Sequence, residues 1–244
     1  MNTTKLLILV CLLLTIPINN YGQDSDSLLI SMDELMAAPK DRIATVEMTV
    51  TDKNDGSKVR EAILKQKGVN RKLYRYTKPE KKAGIATLAL PDGVMWLYMP
   101  SFGKAIKISL LSKSQAFTGT DFSYEDMSGV PYNTRYKPKM LQIENDDEYM
   151  LELTPRSNKT KYSRIVLSLN KYNNYPIKMA FFDKDNNYEK LATYKYEKKD
   201  SYWYAKEVLM TDLRKKHSTK IVMKDIKFDQ GLTDDDFTIE TLKQ

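Results

Sequence analysis

The chain has 244 residues, and its 39 Lys and Arg against 32 Asp and Glu give a net charge of +7. One cysteine excludes a disulfide framework and a cysteine-based metal site, and one histidine excludes the paired histidines of an HExxH zinc site. Acidic residues interrupt the basic clusters, so we attribute the positive excess mainly to a solvated polar face; attraction to an anionic membrane surface is the alternative.

Residues 1–22 are predicted to be a secretory signal peptide. Lys5 supplies a positive charge, Leu6–Ile18 is an apolar run, and a polar stretch follows it. The run is shorter than the about 20 residues that cross a bilayer. A retained membrane anchor is the alternative interpretation.

Cleavage after Gly22 would make Gln23 the first residue of the mature protein. It would also remove Cys11, the single cysteine, so the exported protein would contain no thiol. Residues 23–244 are long enough to bury one hydrophobic core, and no linker or repeat divides them. We therefore expect a single domain.

The first predicted element of this domain is an amphipathic helix in "SDSLLISMDELMAAP", which ends before Pro39. Its apolar residues fall on one stripe: Leu28, Leu29, Met32, Leu35 and Met36.

From Arg42 onward apolar residues recur with a period of two, which is typical of antiparallel strands with one buried face. The clearest segments are 44–50, 149–153, 165–169 and 177–181. Turn sequences separate the strands, at 52–57, 91–93, 170–176 and 183–187. Their spacing predicts about ten or eleven strands in one meandering sheet.

Residues 94–99, "VMWLYM", break this alternation because every side chain is apolar or aromatic. Such a strand is covered on both faces. A sheet curved around a helix and a sheet curved around a cavity both fit. Methionines on many strands suit a plastic apolar surface for varied ligands, or ordinary core filling.

The stretch "FTGTDFSYEDM", residues 117–127, holds the only plausible catalytic carboxylates, Asp121, Glu125 and Asp126. Paired carboxylates can hydrolyse sugars. The favoured interpretation is structural: Asp121 or Ser123 caps a short helix, and the other acids lie in its first turn. A gating or partner-binding role is the third possibility. The lone histidine, His217, is predicted to be exposed to solvent.

Four segments resemble one protein family when taken in order. They are 91–108 with its Trp96-x-Tyr98-x-Pro100 strand, 117–127 with its acidic-aromatic block, 175–198 and 217–242. In these segments the chain resembles the LolA-like outer-membrane lipoprotein-sorting family.

The resemblance implies a mainly β fold with few helices: a strongly curved antiparallel sheet forming an incomplete β-barrel, or half-barrel, with a helical lid. It also implies a periplasmic carrier that binds lipid or the acyl chains of lipoproteins and transfers them toward the outer membrane. An RseB-like sensing domain and an accessory protein of an RND-type permease are the alternatives. We expect no enzymatic activity, no cofactor and no bound metal.

The expected partners are lipid or acylated lipoprotein cargo and an inner-membrane RND-type permease or release complex. Export argues against nucleic acid, and we expect a monomer. The predicted cavity residues are Met95, Trp96, Tyr98, Met99, Ile106, Ile108, Phe117 and Phe122. The predicted lid or partner residues are Asp121, Tyr124, Glu125 and Asp126. The inward face of the strand at 94–99 stays open.

Overall fold

The computed structural model describes residues 24–142 and 146–244. The predicted signal peptide and Cys11 lie outside the described residues.

One sheet of 13 strands, all paired antiparallel, dominates the described residues. The strands are β1 (Asp41–Thr51), β2 (Ser57–Lys67), β3 (Arg71–Lys78), β4 (Ala86–Leu90), β5 (Val94–Met99), β6 (Lys104–Lys107), β7 (Tyr136–Met140), β8 (Glu148–Pro155), β9 (Arg164–Asn170), β10 (Pro176–Phe182), β11 (Tyr188–Lys199), β12 (Tyr202–Asp212) and β13 (His217–Phe228). The helices are α1 (Ser25–Ala37), α2 (Tyr124–Met127), α3 (Tyr132–Arg135) and α4 (Ile239–Lys243). Over the described residues, every helix falls short of the length and apolar content that a membrane crossing needs.

The strand order is β6-β5-β4-β3-β2-β1-β13-β12-β11-β10-β9-β8-β7, so β6 and β7 form the two edges of an open sheet. The predicted mainly β half-barrel is confirmed, whereas the predicted count of ten or eleven strands is too low. The edge strands β6 and β7 are short and mostly polar, and β7 contains Pro138, which a sheet tolerates at its edge. Strand β6 lacks the apolar alternation that marks the inner strands, whereas β7 alternates over five residues and buries Tyr136.

Residues 108–135, here called the lid segment, connect the two edge strands. The predicted short helix in this segment is Tyr124–Met127, and Tyr132–Arg135 forms a second helical turn. Leu111–Ser114 and Phe117–Gly119 form separate 3-10 turns. Thr118 has a φ of 48°, which breaks any continuous helix through this region.

Helix α1 confirms the predicted amphipathic helix. The side chain of Asp24 caps its first turn by accepting a hydrogen bond from the Ser27 N–H, and the helix ends two residues before Pro39. Leu28 and Leu29 are fully buried in the main core, together with strand residues that face inward from β1 through β13. The sheet therefore curves around a helix.

Strand β5 is covered on both faces, as its composition predicts. Met95 and Leu97 face the main core. Trp96 and Tyr98 point the other way and pack in a second cluster, which contains Phe237 and the α4 residue Leu242. Strand alternation thus directs Met95 and Leu97 inward.

Two acidic hairpin turns are also confirmed. The Asp52 carboxylate accepts hydrogen bonds from two backbone N–H groups of its own turn at 2.9 and 3.1 Å. The Asp183 carboxylate does the same at 3.0 and 2.9 Å. These acids stabilise their turns in the Asx geometry.

The packing of the lid segment on the sheet is tested by Gly129→Ala. Gly129 has a φ of +73°, and an added Cβ would lie 2.1 Å from the Val69 carbonyl oxygen. The control is Gly103→Ala, where φ is +63° and no atom lies within 4 Å. We expect about 1–2 kcal/mol of backbone strain in both variants and a further 1–3 kcal/mol, roughly, from overpacking at Gly129. If both variants lose the same unfolding free energy, measured by urea denaturation, the lid segment does not pack closely against the sheet at Gly129.

Candidate functional site

Residues 117–119 of the lid segment are fixed to strands β2 and β3. The Arg60 guanidinium donates hydrogen bonds to the carbonyl oxygens of Thr118 and Gly119 at 2.6 and 3.2 Å. The buried Phe117 ring meets Tyr74 edge-on, with ring centroids 5.6 Å apart. Charge-assisted hydrogen bonds of this kind are stronger than neutral ones, so this contact holds the lid segment firmly.

Asp121 attaches the lid segment to the middle of the sheet. Its buried carboxylate lies 2.8 Å from His217 Nδ1 and accepts a 2.6 Å hydrogen bond from the Thr219 hydroxyl. Lys190 donates to the Asp121 carbonyl oxygen. The prediction of a solvent-exposed imidazole is wrong: the His217 side chain is 26% exposed and contacts Asp121. Sequence alone could not bring these two residues together, because they are far apart in the chain.

Helix α2 is capped as predicted. The Ser123 hydroxyl accepts a hydrogen bond from the Asp126 N–H, and the Asp126 carboxylate accepts one from the Ser123 N–H, which forms a capping box. The same carboxylate accepts a 3.1 Å hydrogen bond from the Tyr162 hydroxyl. Asp126 thus both caps the helix and binds it to the loop between β8 and β9.

Glu125 forms a buried ion pair with Arg135 of α3, at 3.1 Å. Its second carboxylate oxygen accepts a 2.8 Å hydrogen bond from the Lys161 N–H. Burial raises the pKa of the Glu125 carboxyl, and the charge of Arg135 opposes that rise. The Arg135 guanidinium also lies over the Tyr132 ring, 4.6 Å from its centroid.

Asp33 on helix α1 binds the lid segment. The Asp33 carboxylate accepts hydrogen bonds from the N–H groups of Tyr132 and Asn133, at 2.9 and 2.8 Å, at the start of α3. Burial raises the pKa of this carboxyl, and the two N–H donors oppose the rise. The helix and the lid segment therefore share one buried anchor.

A cavity of about 180 Å³ lies between α1, the lid segment and the inner face of the sheet. Most of its lining is apolar or aromatic. The methionines that line it are Met32, Met36, Met127, Met179, Met210 and Met223. The aromatic residues are Tyr74, Phe122, Tyr132, Tyr175, Phe181, Tyr194, Tyr196, Trp203 and Tyr204.

Tyrosine hydroxyls in the cavity wall contact methionine sulfur. The Tyr194 hydroxyl lies 3.2 Å from Met179 Sδ, and the Tyr196 hydroxyl lies 3.8 Å from Met36 Sδ. The rings of Tyr175 and Tyr196 pack 4.7 Å apart. Thioethers and aromatic rings give a polarizable, adaptable surface, which suits apolar ligands of varied shape.

The predicted cavity residues fall into four environments. Phe122 lines the cavity. Met95, Ile108 and Phe117 are buried in the main core, and Trp96 and Tyr98 lie in the cluster with α4. Met99 is partly buried, and Ile106 is 45% exposed. Contact of these residues with cargo stays a prediction.

The predicted lid residues Asp121, Tyr124, Glu125 and Asp126 all lie in the lid segment. Three have the contacts described above, and the Tyr124 ring packs against Phe117 with centroids 5.3 Å apart. Their binding of a partner stays a prediction. Within the part of the chain that the structure describes, no group of three His, Cys, Asp or Glu side chains is placed to hold a metal ion.

Sequence reasoning missed three cations of the cavity wall, Arg42, Lys72 and Arg135. A signal was available for the first two. Arg42 has the same parity as Ala44 on its strand, and Lys72 has the same parity as Tyr74 on its strand, so strand alternation directs both to the buried face.

Known proteins share this architecture. A domain from Vibrio parahaemolyticus, described as an outer membrane lipoprotein-sorting protein domain, superposes with a TM-score of 0.80 and 28% sequence identity, covering 88% of this chain and 97% of that domain. A family model described as "-like: Uncharacterized protein" matches residues 68–244, which is more than half of the chain. The chain belongs to the family of that model, and it is similar in sequence and structure to the lipoprotein-sorting domain.

Two further structures share the fold of the family. A DUF1329 family protein from Desulfovibrio piger has a TM-score of 0.80 at 23% identity, covering 89% of this chain and 97% of its own. A LolA superfamily protein from Nitrosomonas europaea has a TM-score of 0.74 at 23% identity, covering 88% and 97%. No curated protein matches the chain by sequence. The family resemblance inferred from the sequence motifs is confirmed.

The buried ion pair of the lid segment is tested by Glu125→Gln. The exposed fractions of the Arg135 and Glu125 side chains are 14% and 10%, so the variant leaves a buried cation without its partner. We expect it to lose about 3 kcal/mol of unfolding free energy.

The matched control is Glu61→Gln. The pair of Glu61 with Lys78 is exposed, at 26% and 70%, so this variant should lose less than about 1 kcal/mol. Both losses are measured by urea unfolding. Similar values for the two variants would contradict an anchoring role for Glu125.

Proposed function

We propose that the protein is a periplasmic carrier that binds lipid or the acyl chains of lipoproteins. Residues 1–22 would direct its export and then be cleaved. It holds the apolar chain between α1, the lid segment and the sheet, and transfers it toward the outer membrane. The observation that carries the proposal is the methionine- and tyrosine-lined cavity beneath the lid segment. Similarity to a domain described as lipoprotein-sorting supports the same class of cargo.

Hydrophobic transfer supplies the affinity that such a carrier needs. Each buried methylene contributes about 0.8 kcal/mol, so a dozen contribute roughly 10 kcal/mol before ordering costs. The cavity, at about 180 Å³, is smaller than the roughly 300–1,000 Å³ of typical ligand sites. A complete acyl chain therefore requires the cavity to widen, and movement of the lid segment would widen it.

A carrier needs no catalytic group, and the contacts of the lid acids fit that role. The carboxylates of Asp121, Glu125 and Asp126 form hydrogen bonds or ion pairs with neighbouring protein groups. Acid-base chemistry would need one of them to be free to reach a substrate. We therefore propose that the three acids hold the lid segment and do not act in hydrolysis. An RND-type permease or release complex as partner stays a prediction.

The proposal is tested by filling the cavity with Val208→Trp. Val208 is partly buried and lines the cavity, so the added indole would occupy cargo volume. Val59→Trp is the control, since Val59 is 55% exposed on β2. Binding of the neutral dye N-phenyl-1-naphthylamine, and its displacement by a long-chain alcohol, should be lost in Val208→Trp and kept in Val59→Trp.

Thermal unfolding of both variants separates blocked binding from misfolding, because overpacking costs about 1–3 kcal/mol. Undiminished displacement by the alcohol in a folded Val208→Trp variant would contradict binding in this cavity. Absence of binding to the unmodified protein would contradict the carrier proposal as a whole.

A further inference from the structure

A row of three polar side chains crosses the inner face of the sheet at the cavity. Arg42 on β1 is the register partner of Gln66 on β2, and Gln66 is the register partner of Lys72 on β3. Directly paired residues of neighbouring strands project to the same face. All three residues line the cavity, and we call them the polar row.

The residues next to the polar row are apolar or aromatic. One step along the same strands, toward the interior, the register places Ala44, Leu64 and Tyr74 side by side. The row after that contains Val46, Ala62 and Tyr76. The polar row is therefore a charged margin on an otherwise apolar wall.

Glutamine, and no carboxylate, stands between the two cations. Arg42 donates two hydrogen bonds to Gln66 Oε1, from Nε at 3.1 Å and from Nη2 at 2.8 Å. The Gln66 amide nitrogen donates to the Gly68 carbonyl oxygen at 2.6 Å. Among the described residues, no carboxylate lies within the 4.0 Å of an ion pair from Arg42 or Lys72.

The acids of the cavity wall are already engaged. Asp33 accepts two backbone N–H groups, and Asp126 accepts one backbone N–H and a tyrosine hydroxyl. The third cation of the wall, Arg135, faces Glu125 at 3.1 Å. Among the described residues of the cavity wall, Arg42 and Lys72 are thus the cations without an ion-pair partner, whereas the wall carboxylates are held by hydrogen bonds from neighbouring protein groups.

An uncompensated cation in an apolar wall carries an electrostatic cost. Burial, together with the nearby charges of Arg42 and Arg135, lowers the pKa of Lys72 to about 7. Burial also lowers the pKa of Arg42. A bound anion would remove this cost by restoring an opposite charge beside the row.

We propose that the polar row binds the anionic headgroup of a lipid, a carboxylate or a phosphate, whose acyl chain occupies the apolar part of the cavity. This inference rests on the proposed carrier function and narrows its cargo to anionic lipids. The Arg42 guanidinium would share its donors between Gln66 and the headgroup, and the Lys72 ammonium would supply the second charge.

Lys72 also lies against the lid segment. A Cβ added to Gly129 would lie 3.2 Å from Lys72 Nζ and 3.0 Å from its Cε. A headgroup on the polar row therefore sits where the sheet meets the lid segment. Binding there would place the headgroup in contact with the lid segment, whose movement would admit the cargo.

The test compares two ligands with the same chain and different headgroups, oleate and oleyl alcohol, with inorganic phosphate as the chain-free anion. Each is titrated against the full-length mature protein loaded with N-phenyl-1-naphthylamine. The variant is Lys72→Gln. The control is Lys78→Gln, which removes one charge from an exposed position on the same strand.

We expect the unmodified protein to bind oleate about tenfold more tightly than oleyl alcohol, the equivalent of one charge-assisted hydrogen bond. Lys72→Gln should lose that preference through weaker binding of oleate, and Lys78→Gln should keep it. Lys72→Arg should also keep it, which guards against a folding defect in the glutamine variant.

Equal affinity for oleate and oleyl alcohol in the unmodified protein would overturn the headgroup site and leave the carrier proposal intact. Binding of neither ligand would defeat the carrier proposal itself. If inorganic phosphate displaces oleate as effectively as added oleate does, the site binds free anions, and the inference is overturned. If Lys72→Gln still prefers oleate, the inference is also overturned.

Discussion

The carboxylate of Asp121 joins the lid segment to the centre of an open sheet. A curved sheet that does not close leaves an apolar inner face, which something has to cover. The lid segment runs from one sheet edge to the other, and its polar anchors reach β2, β3, β11 and β13. Because the anchors are hydrogen bonds and ion pairs around a small apolar cavity, the cover holds its position without filling the space beneath it.

The distribution of charge around the cavity follows from this arrangement. Every acid of the lid segment discussed above binds another part of the protein. Arg42 contacts an amide, and the charges of Arg42 and Arg135 both act on Lys72. The cavity therefore has an apolar wall and, at one margin, two cations without an ion-pair partner among the described residues. An acyl chain fits its apolar wall, and an anion fits its charged margin.

Much of the fold could be predicted from the sequence, because strand alternation and turn chemistry are local signals. They located α1, the inner strands and the two-faced strand β5. The edge strands were not identified, because they are only four and five residues long and β6 has no buried face. The capping role of Ser123 and Asp126 was also predictable, because a capping box spans four residues.

The site was harder, because it depends on contacts distant in sequence. Asp121 meets His217 across the sheet, and Lys72 meets Arg42 only through the register of three strands. The direct test of the account is native mass spectrometry of the protein purified from the periplasm without detergent. The account predicts a bound species that carries an acyl chain and is lost in Val208→Trp. Recovery of ligand-free protein alone, or of bound species without an acyl chain, would contradict it.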